Sequence, residues 1–541
     1  MLEDSGEMDN TFTSNLASVT RDAITLIRPE ETDDTPSSFW LTNPLNTFSG
    51  NVAAGSEHSG FWFEMASSVR APTNTMSEEL SEMNPSILPL SLFQDNTAHS
   101  NSEHGVKTYP GVGLEPEGEP AVFKNTKSYR NRQSGVFIHN SRNINIESGI
   151  FADNLIGIDI DRSPTCSISD ATIIGYSQEY RSLAEKINAH TLCVSVVCMI
   201  LVVCICDLHS TISIIYILVL MQPSGWSIRG AELHTYWAGG DKNTGTRVEN
   251  TSFSSLGHDT GCAGSTALRV DPENKGYFDV RSSISGLTFD QDTEPLSSCD
   301  AISATDEEMG PIDNVAIEDV DGSIIGTPGY IVSDNDRMTA FESGCVSHTA
   351  SCTAHCPGAC FRTMGIAVST FEDDSLLLEI TDTDTGIKIT VTSEYDWPLN
   401  SDGSANMAEH TKTHRNRRFF ATLPSGGTPR NYQARFVKDG ETHWPLYVKT
   451  QYEDPDHHCP EFASFTVVEP EVKPGYCDEL IRNGDVSSGV DNWWATMGGV
   501  AVVDESSSGQ GLAITSESRW AGKSAFVLFY HIHVWFIMEY R

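Results

Sequence analysis

Ile146-Glu147-Ser148-Gly149-Ile150-Phe151 and, 22 residues later, Ile168-Ser169-Asp170-Ala171-Thr172-Ile173 repeat one alternation of apolar and polar residues around a small turn. An offset of this size is about one three-strand coil of a parallel β-helix, and recurrence along a chain is the mark of stacked supersecondary units. Upstream, Phe48, Phe93 and Phe123 each precede a glycine by twelve residues, at Gly60, Gly105 and Gly135. Asn-rich stretches with Asn51, Asn96 and Asn125 separate them, where asparagine suits tight left-handed turns. Short β-prone runs follow each glycine, as in Gly60-Phe61-Trp62-Phe63 and Gly135-Val136-Phe137-Ile138. Similar segments return at Val248 to Phe253, Ile284 to Phe289 and Val315 to Val320. Helical periodicity is scarce, with Gln178 to Ile187 a modest candidate, so the chain reads as all-β.

The expected architecture is a right-handed parallel β-helix over 1–335, an antiparallel β-sandwich over 336–470 and a truncated jelly-roll-like segment over 478–523. The sandwich rests on short alternating strands such as Ser375 to Ile380, Gly386 to Val391 and Tyr432 to Val437, separated by Asp, Asn, Gly and Pro. Leu192 to Met221 breaks the pattern, being almost wholly apolar apart from Asp207 and His209. It is long enough to span a bilayer, yet a span there would cut the solenoid in two. Three readings stay open: sequence foreign to the fold, a transmembrane helix, or a buried hairpin. The apolar tail within 524–541 shares this foreign character.

Asp and Glu number 74 against 34 Lys and Arg, a formal net charge of −40. Such a field repels nucleic acid and anionic lipid. It reads as a solvated acidic surface or as capture of Ca²⁺ by clustered carboxylates. Of 13 cysteines, Cys193, Cys198, Cys204 and Cys206 lie in the apolar run, and the other nine are dispersed as in proteins of oxidising compartments. The opening Met1 to Glu7 has neither a basic nor an apolar region, so it is no signal peptide. A cytosolic protein, or a natural start and signal peptide lying elsewhere, is the expectation from that end.

The chain resembles the cell migration-inducing and hyaluronan-binding proteins with the related transmembrane hyaluronidase and, more distantly, the fibrocystin-like proteins. The resemblance rests on Phe39-Trp40-Leu41-Thr42-Asn43-Pro44-Leu45-Asn46, Ala53 to Phe63, Asn96 to Asn101 and Phe151 to Ile158. Asp319 to Ser323, Pro328-Gly329 and the Cys345 to Cys360 cluster follow in the expected order. It implies an extracellular or cell-surface β-helix followed by a β-sandwich, binding and depolymerising hyaluronan. The eight-glycine domain that normally precedes such a β-helix has no counterpart here. Separately, Leu480 to Asp485 and Trp493-Trp494 look like the opening of a carbohydrate-binding jelly roll, in which the two rings would hold a sugar face or serve as core.

Several constellations carry chemistry. In Gly157-Ile158-Asp159-Ile160-Asp161, inward isoleucines would leave Asp159 and Asp161 on one outer face, about 6.5–7 Å apart. That is near the lower bound for a hydrolytic carboxylate pair. Asp170 on the next coil is the third candidate catalytic residue; a solvated face or a Ca²⁺ site is the alternative. Asp319 and Asp321 form a similar pair, taken as the metal candidates. His99, His104 and His139 lie near the same repeats as candidate acids or bases. Lys127, Arg130, Arg132 and Arg142, with Lys124, make a local basic cluster for glycan carboxylates, or a plain solvated turn. Cys345, Cys352, Cys356 and Cys360 lack zinc-knuckle spacing and are expected in disulfides. The expected partner is a polysaccharide or glycosaminoglycan, with membrane contact only if 192–221 is a true span.

Overall fold

The computed structural model describes residues 4–22, 35–109, 111–112, 118–161, 163, 165–177, 229–234, 245–257, 265–271, 281–299, 315–342, 344–371, 376–392, 394–396, 414–426, 430–445, 447–453, 458–468, 498–505 and 509–516. The chain divides into two compact units, 1–468 and 469–541.

The larger unit begins as a parallel β-helix of three sheets. Sheet A runs from Thr11–Thr13 through Thr47–Ser49, Leu92–Gln94, Ala121–Lys124, Ile144–Glu147, Ser167–Ser169, Arg247–Glu249 and Ser283–Ser285 to Ala316–Asp319. Sheet B stacks three-residue strands such as Lys127–Tyr129 and Ile150–Ala152, and sheet C stacks longer ones such as Ser59–Phe63, Ser134–His139 and Ile156–Asp161. The expected repeats are in register: Phe48 pairs with Phe93, Phe93 with Phe123, and Ile146 with Ile168. Their side chains form one column inside the prism, continued by Val248 and Ile284. Equivalent columns from the other sheets complete a single hydrophobic core, in which each ring rests on the ring one coil away.

Coil length varies because the extra residues lie in the connections, leaving the rungs unchanged. Sheet B ends one coil at Thr172–Ile174 and sheet C resumes at Arg229–His234, yet both strands keep parallel partners on either side. The apolar Leu192 to Met221 lies inside that connection and outside the described residues, as does Gln178 to Ile187. Among the described residues no helix is long and apolar enough to cross a membrane.

One expectation is corrected. Asn51 and Asn96 do not form left-handed turns; they form a buried ladder. Asn96 Oδ1 accepts from the backbone N of Asn51 at 3.0 Å and from its Nδ2 at 3.1 Å. A second ladder runs Asn101, Asn131, Asn154 on the same plan. Each rung satisfies a backbone N–H at a corner where no strand partner exists, which is why a buried amide is tolerated there. Asn125, with φ of 49°, is the one of the three that takes the left-handed turn.

The recurrent glycine belongs to the second ladder's corner. A Cβ on Gly105 would stand 2.5 Å from the Gly135 carbonyl oxygen, and one on Gly135 would stand 2.5 Å from that of Gly157. Backbones approach so closely there that no side chain is accommodated.

The parallel ladder ends at Ala316–Asp319, which pairs antiparallel with Gly329–Ser333, itself paired with Thr353–Pro357. Beyond it, the sheet holding Phe361–Phe371, His414–Pro424, Tyr447–Glu453 and Glu394–Asp396 and the sheet holding Leu377–Asp382, Lys388–Thr392 and Asn431–Lys438 enclose one core around Ile366, Val368, Leu378, Ile380, Phe419 and Phe436. Disulfides Cys299–Cys352, Cys345–Cys356 and Cys360–Cys459 staple this half. All four cysteines singled out from spacing are thus in disulfides. Of the smaller unit, a hairpin of Gly498–Glu505 and Gly509–Ser516 is described, while Trp493, Trp494 and the tail within 524–541 lie outside the described residues.

Candidate functional site

The outer face of sheet C gathers most of the chemistry-bearing side chains of the helix. Alternation puts Phe61, Val136, Ile138, Ile158 and Ile160 inside. One outward column therefore runs Trp40, Trp62, Lys107, Phe137, Asp159, each in register with the next. The neighbouring column carries Tyr109, His139 and Asp161, since His139 pairs with Asp161 and Tyr109 follows Thr108, the partner of Ile138.

The first coils make an aromatic stack in which Trp40 is half-buried and Trp62, beneath it, is 4% exposed. Trp40 and Trp62 stack at 5.6 Å and 10°. Trp40 Nε1 donates to Glu64 at 2.8 Å and Trp62 Nε1 donates to the Tyr109 carbonyl at 2.7 Å. Arg70 lies 5.6 Å above Trp40 and Lys107 Nζ 5.9 Å above Trp62, cations on ring faces. Four flat groups continue the row: His104 stacks on Phe137 at 4.6 Å, Phe137 on His139 at 5.5 Å, and Tyr109 meets His139 edge-on at 4.9 Å.

The last coils supply the titratable groups. Asp159 and Asp161 do share this outer face, yet they are only 6% and 4% exposed. Asp159 Oδ2 accepts from Ser134 Oγ at 3.2 Å, and Asp161 is bonded to His139 Nδ1. Because a carboxylate accepts, that contact puts the imidazole proton on Nδ1. Asn140 Nδ2 donates to His139 Nε2 at 3.1 Å, so Nε2 carries the lone pair. Tyr109 stands at the surface, 45% exposed.

A buried polar seam underlies the row. His58 Nε2 lies 2.7 Å from Glu103 and His104 Nε2 lies 3.9 Å from the same oxygen. Burial, reinforced by the positive charge of Lys107, pushes the His104 imidazole down to about 3, so it is neutral at neutral pH. Burial works to raise Glu103, but the His58 hydrogen bond and the surrounding cations hold it below the usual carboxylate value.

The remaining sequence candidates lie elsewhere. Asp170, with φ of 53°, occupies an exposed turn between sheets A and B, so it does not join Asp159 and Asp161 on sheet C. The basic cluster disperses around the coil: Lys127 opens a strand of sheet B, Arg130 sits in a left-handed turn with Nε 3.7 Å from Asp153, Arg132 lies in the connection from sheet B to sheet C, and Arg142 lies between sheets C and A. Asp319 and Asp321 do not form a metal pair. Asp319 is fully buried, and its two oxygens accept the backbone N–H groups of Ser323, Ile324 and Ile325, each at 2.9 Å. Asp321 is exposed and accepts from Gly286 N at 2.7 Å, so both carboxylates clamp a loop. His99 stacks on Tyr129 at 4.8 Å on the face of sheet B.

Residues 1–106 match the family model described as CEMIP beta-helix. The opening coils of the helix are thus similar to that family's. The mouse cell migration-inducing and hyaluronan-binding protein is 28% identical over 173 residues, which is 27% of this chain and 12% of that relative. Human cell surface hyaluronidase CEMIP2 is 24% identical over 180 residues, 27% of this chain and 13% of the relative. Mouse fibrocystin-L is 34% identical over 105 residues, 19% of this chain and 2% of its own length. The chain thus spans about an eighth of the length of the first two of these relatives. Among solved structures, the Azotobacter vinelandii mannuronan C-5 epimerase AlgE4 A-module aligns with a TM-score of 0.30 and 14% identity, covering 54% of this chain and 56% of that one.

Trp40, Trp62, Lys107, Tyr109 and Phe137, which the structure places on this face, were not among the candidates read from the sequence. Their signal was present in the alternation of Phe39-Trp40-Leu41 and Phe61-Trp62-Phe63, which becomes a stacked column once the two runs are placed in register.

Proposed function

We propose that this protein binds an extracellular polysaccharide of the hyaluronan type along the outer face of sheet C and cleaves it there. The observation that carries the reading is the register itself: one face aligns a half-buried Trp40, backed by Trp62, with cations over the rings and, on the next coils, a His139–Asp161 pair beside an exposed tyrosine. Aromatic rings hold sugar faces and cations answer uronate carboxylates, while a held imidazole moves protons. Hyaluronan as the glycan is supported by the relatives named above, and an extracellular setting by the three disulfides. Hydrolysis through Asp159 and Asp161 is the less favoured form of cleavage, because both carboxylates are nearly covered and only His139 of that group reaches the surface.

Non-enzymatic binding by the same face is the second reading, favoured by the burial of the two aspartates. Incubating the purified full chain with hyaluronan and chondroitin, with and without a calcium chelator, separates the two. Shortened chains support cleavage, and loss of shortening on chelation supports a Ca²⁺ requirement met elsewhere than at Asp319 and Asp321. Retention of glycan with no shortening under any condition leaves binding alone.

A further inference from the structure

Resting on the reading that this face cleaves a polysaccharide, we propose that it does so by β-elimination at a 4-linked hexuronate, with His139 as the base, Tyr109 as the acid and Lys107 as the group that neutralises the uronate carboxylate. Elimination at such a sugar needs three things together. The carboxylate charge must be compensated so that the C5 hydrogen becomes acidic, a base must take that proton, and an acid must meet the departing oxygen. The register supplies them in one patch, with Lys107 and Tyr109 outward on one strand and His139 outward on the next.

The hydrogen bonds assign the roles. With its Nδ1 proton held by Asp161, His139 keeps its lone pair on Nε2, where it receives from the exposed Asn140 amide, and it acts as base when substrate displaces that amide. Tyr109 offers a phenolic O–H, stands 45% exposed and packs edge-on against the imidazole at 4.9 Å. Asp161 acts through His139 and is a positioning residue. Hydrolysis, by contrast, needs two carboxyl groups at the sugar with room for water, and the two here are covered and hydrogen-bonded.

In the step, His139 Nε2 takes the C5 proton and the freed electron pair forms the C4–C5 double bond. The C4–O4 bond breaks with its electrons passing to oxygen, and Tyr109 Oη gives that oxygen its proton. The preceding sugar leaves with a new reducing end, and Tyr109 recovers a proton as His139 releases one, through solvent. No water is consumed and nothing is oxidised or reduced overall.

The test uses the full chain and two substrates, hyaluronan and hyaluronan whose uronate carboxyls have been reduced to alcohols. Elimination gives products with the ultraviolet absorbance of an unsaturated uronate, one water lighter than hydrolytic products, and leaves the reduced polymer intact. His139→Gln and Tyr109→Phe should each lower the appearance of that chromophore by about 10²–10⁴-fold while glycan retention persists. Asp161→Asn should shift the pH profile of the rate, which a merely structural role would leave in place. Shortening without the chromophore, with water oxygen in the products, overturns elimination and leaves the cleavage reading standing. Absence of any shortening removes both.

Discussion

Sheets A and C wind around the same core and share its inward chemistry, but their outer faces differ. Inside, sheet A stacks Phe12, Phe48, Phe93 and Phe123, and sheet C stacks Phe39, Phe61, Val106 and Val136. Outside, sheet A mixes Thr47, Ser49 and Ser283 with charged Lys124, Glu147, Arg247 and Glu249 on strands of three or four residues, whereas sheet C aligns tryptophan, lysine, tyrosine, histidine and aspartate on strands of up to six residues. The core therefore sets where a rung lies, and the outward positions are left to chemistry. Strand length matters too, because a three-residue strand whose middle residue points inward offers two outward positions, both next to turns, while a longer strand keeps outward residues in regular register with the coils above and below.

The comparison can be broken at several depths. The largest effect is expected on the outer face of sheet C itself: His139→Gln, whose amide can still donate to Asp161, should lower glycan cleavage by about 10²–10⁴-fold while circular dichroism keeps the β signature of the parent. Next, Phe93→Ala in the inner column of sheet A, which touches Phe61, Phe63 and Phe123, should cost about 3–5 kcal/mol in denaturant unfolding. Asn131→Ala removes the acceptor of two Asn101 donors, so unfolding should show a loss of about 1–3 kcal/mol for each donor left unpaired.

A smaller effect is expected in the seam beneath the row. His104 is held neutral in the fold, with its value lowered from 6.5 to about 3, whereas the unfolded chain protonates it below its ordinary value. Stability is thus lost as pH falls from 6.5 towards 3, with a slope of about 1.4 kcal/mol per pH unit for the one proton. His104→Phe, which keeps the stack on Phe137, should remove that slope in acid-unfolding curves. Smallest of all, Ser49→Lys on the outer face of sheet A should change stability by no more than about 0.5 kcal/mol and leave cleavage untouched.

Much of the helix was legible in the sequence because its repeat is local in kind. The phenylalanines and isoleucines that define the coils recur at readable offsets, and their partners in the structure are the expected ones. The sandwich strands were legible for the same reason, through two-residue alternation. The Asn ladders were not, because a buried asparagine and a turn asparagine are the same letter, and only the neighbouring coil's N–H groups distinguish them.

The site was legible in part. Asp159 and Asp161 fall on the outer face as their alternation requires, but Asp170 turns away because a corner separates its strand from theirs. The basic residues close in sequence part company around the coil for the same geometric reason.

By itself, then, the sequence determined which residues point inward, since apolar side chains at period two must be buried wherever they recur. Which outward residues meet was decided only by the tertiary structure. Coils of unequal length bring Trp40 beside Trp62, Tyr109 beside His139 and His139 beside Asp161, and that adjacency depends on how the chain closes each turn.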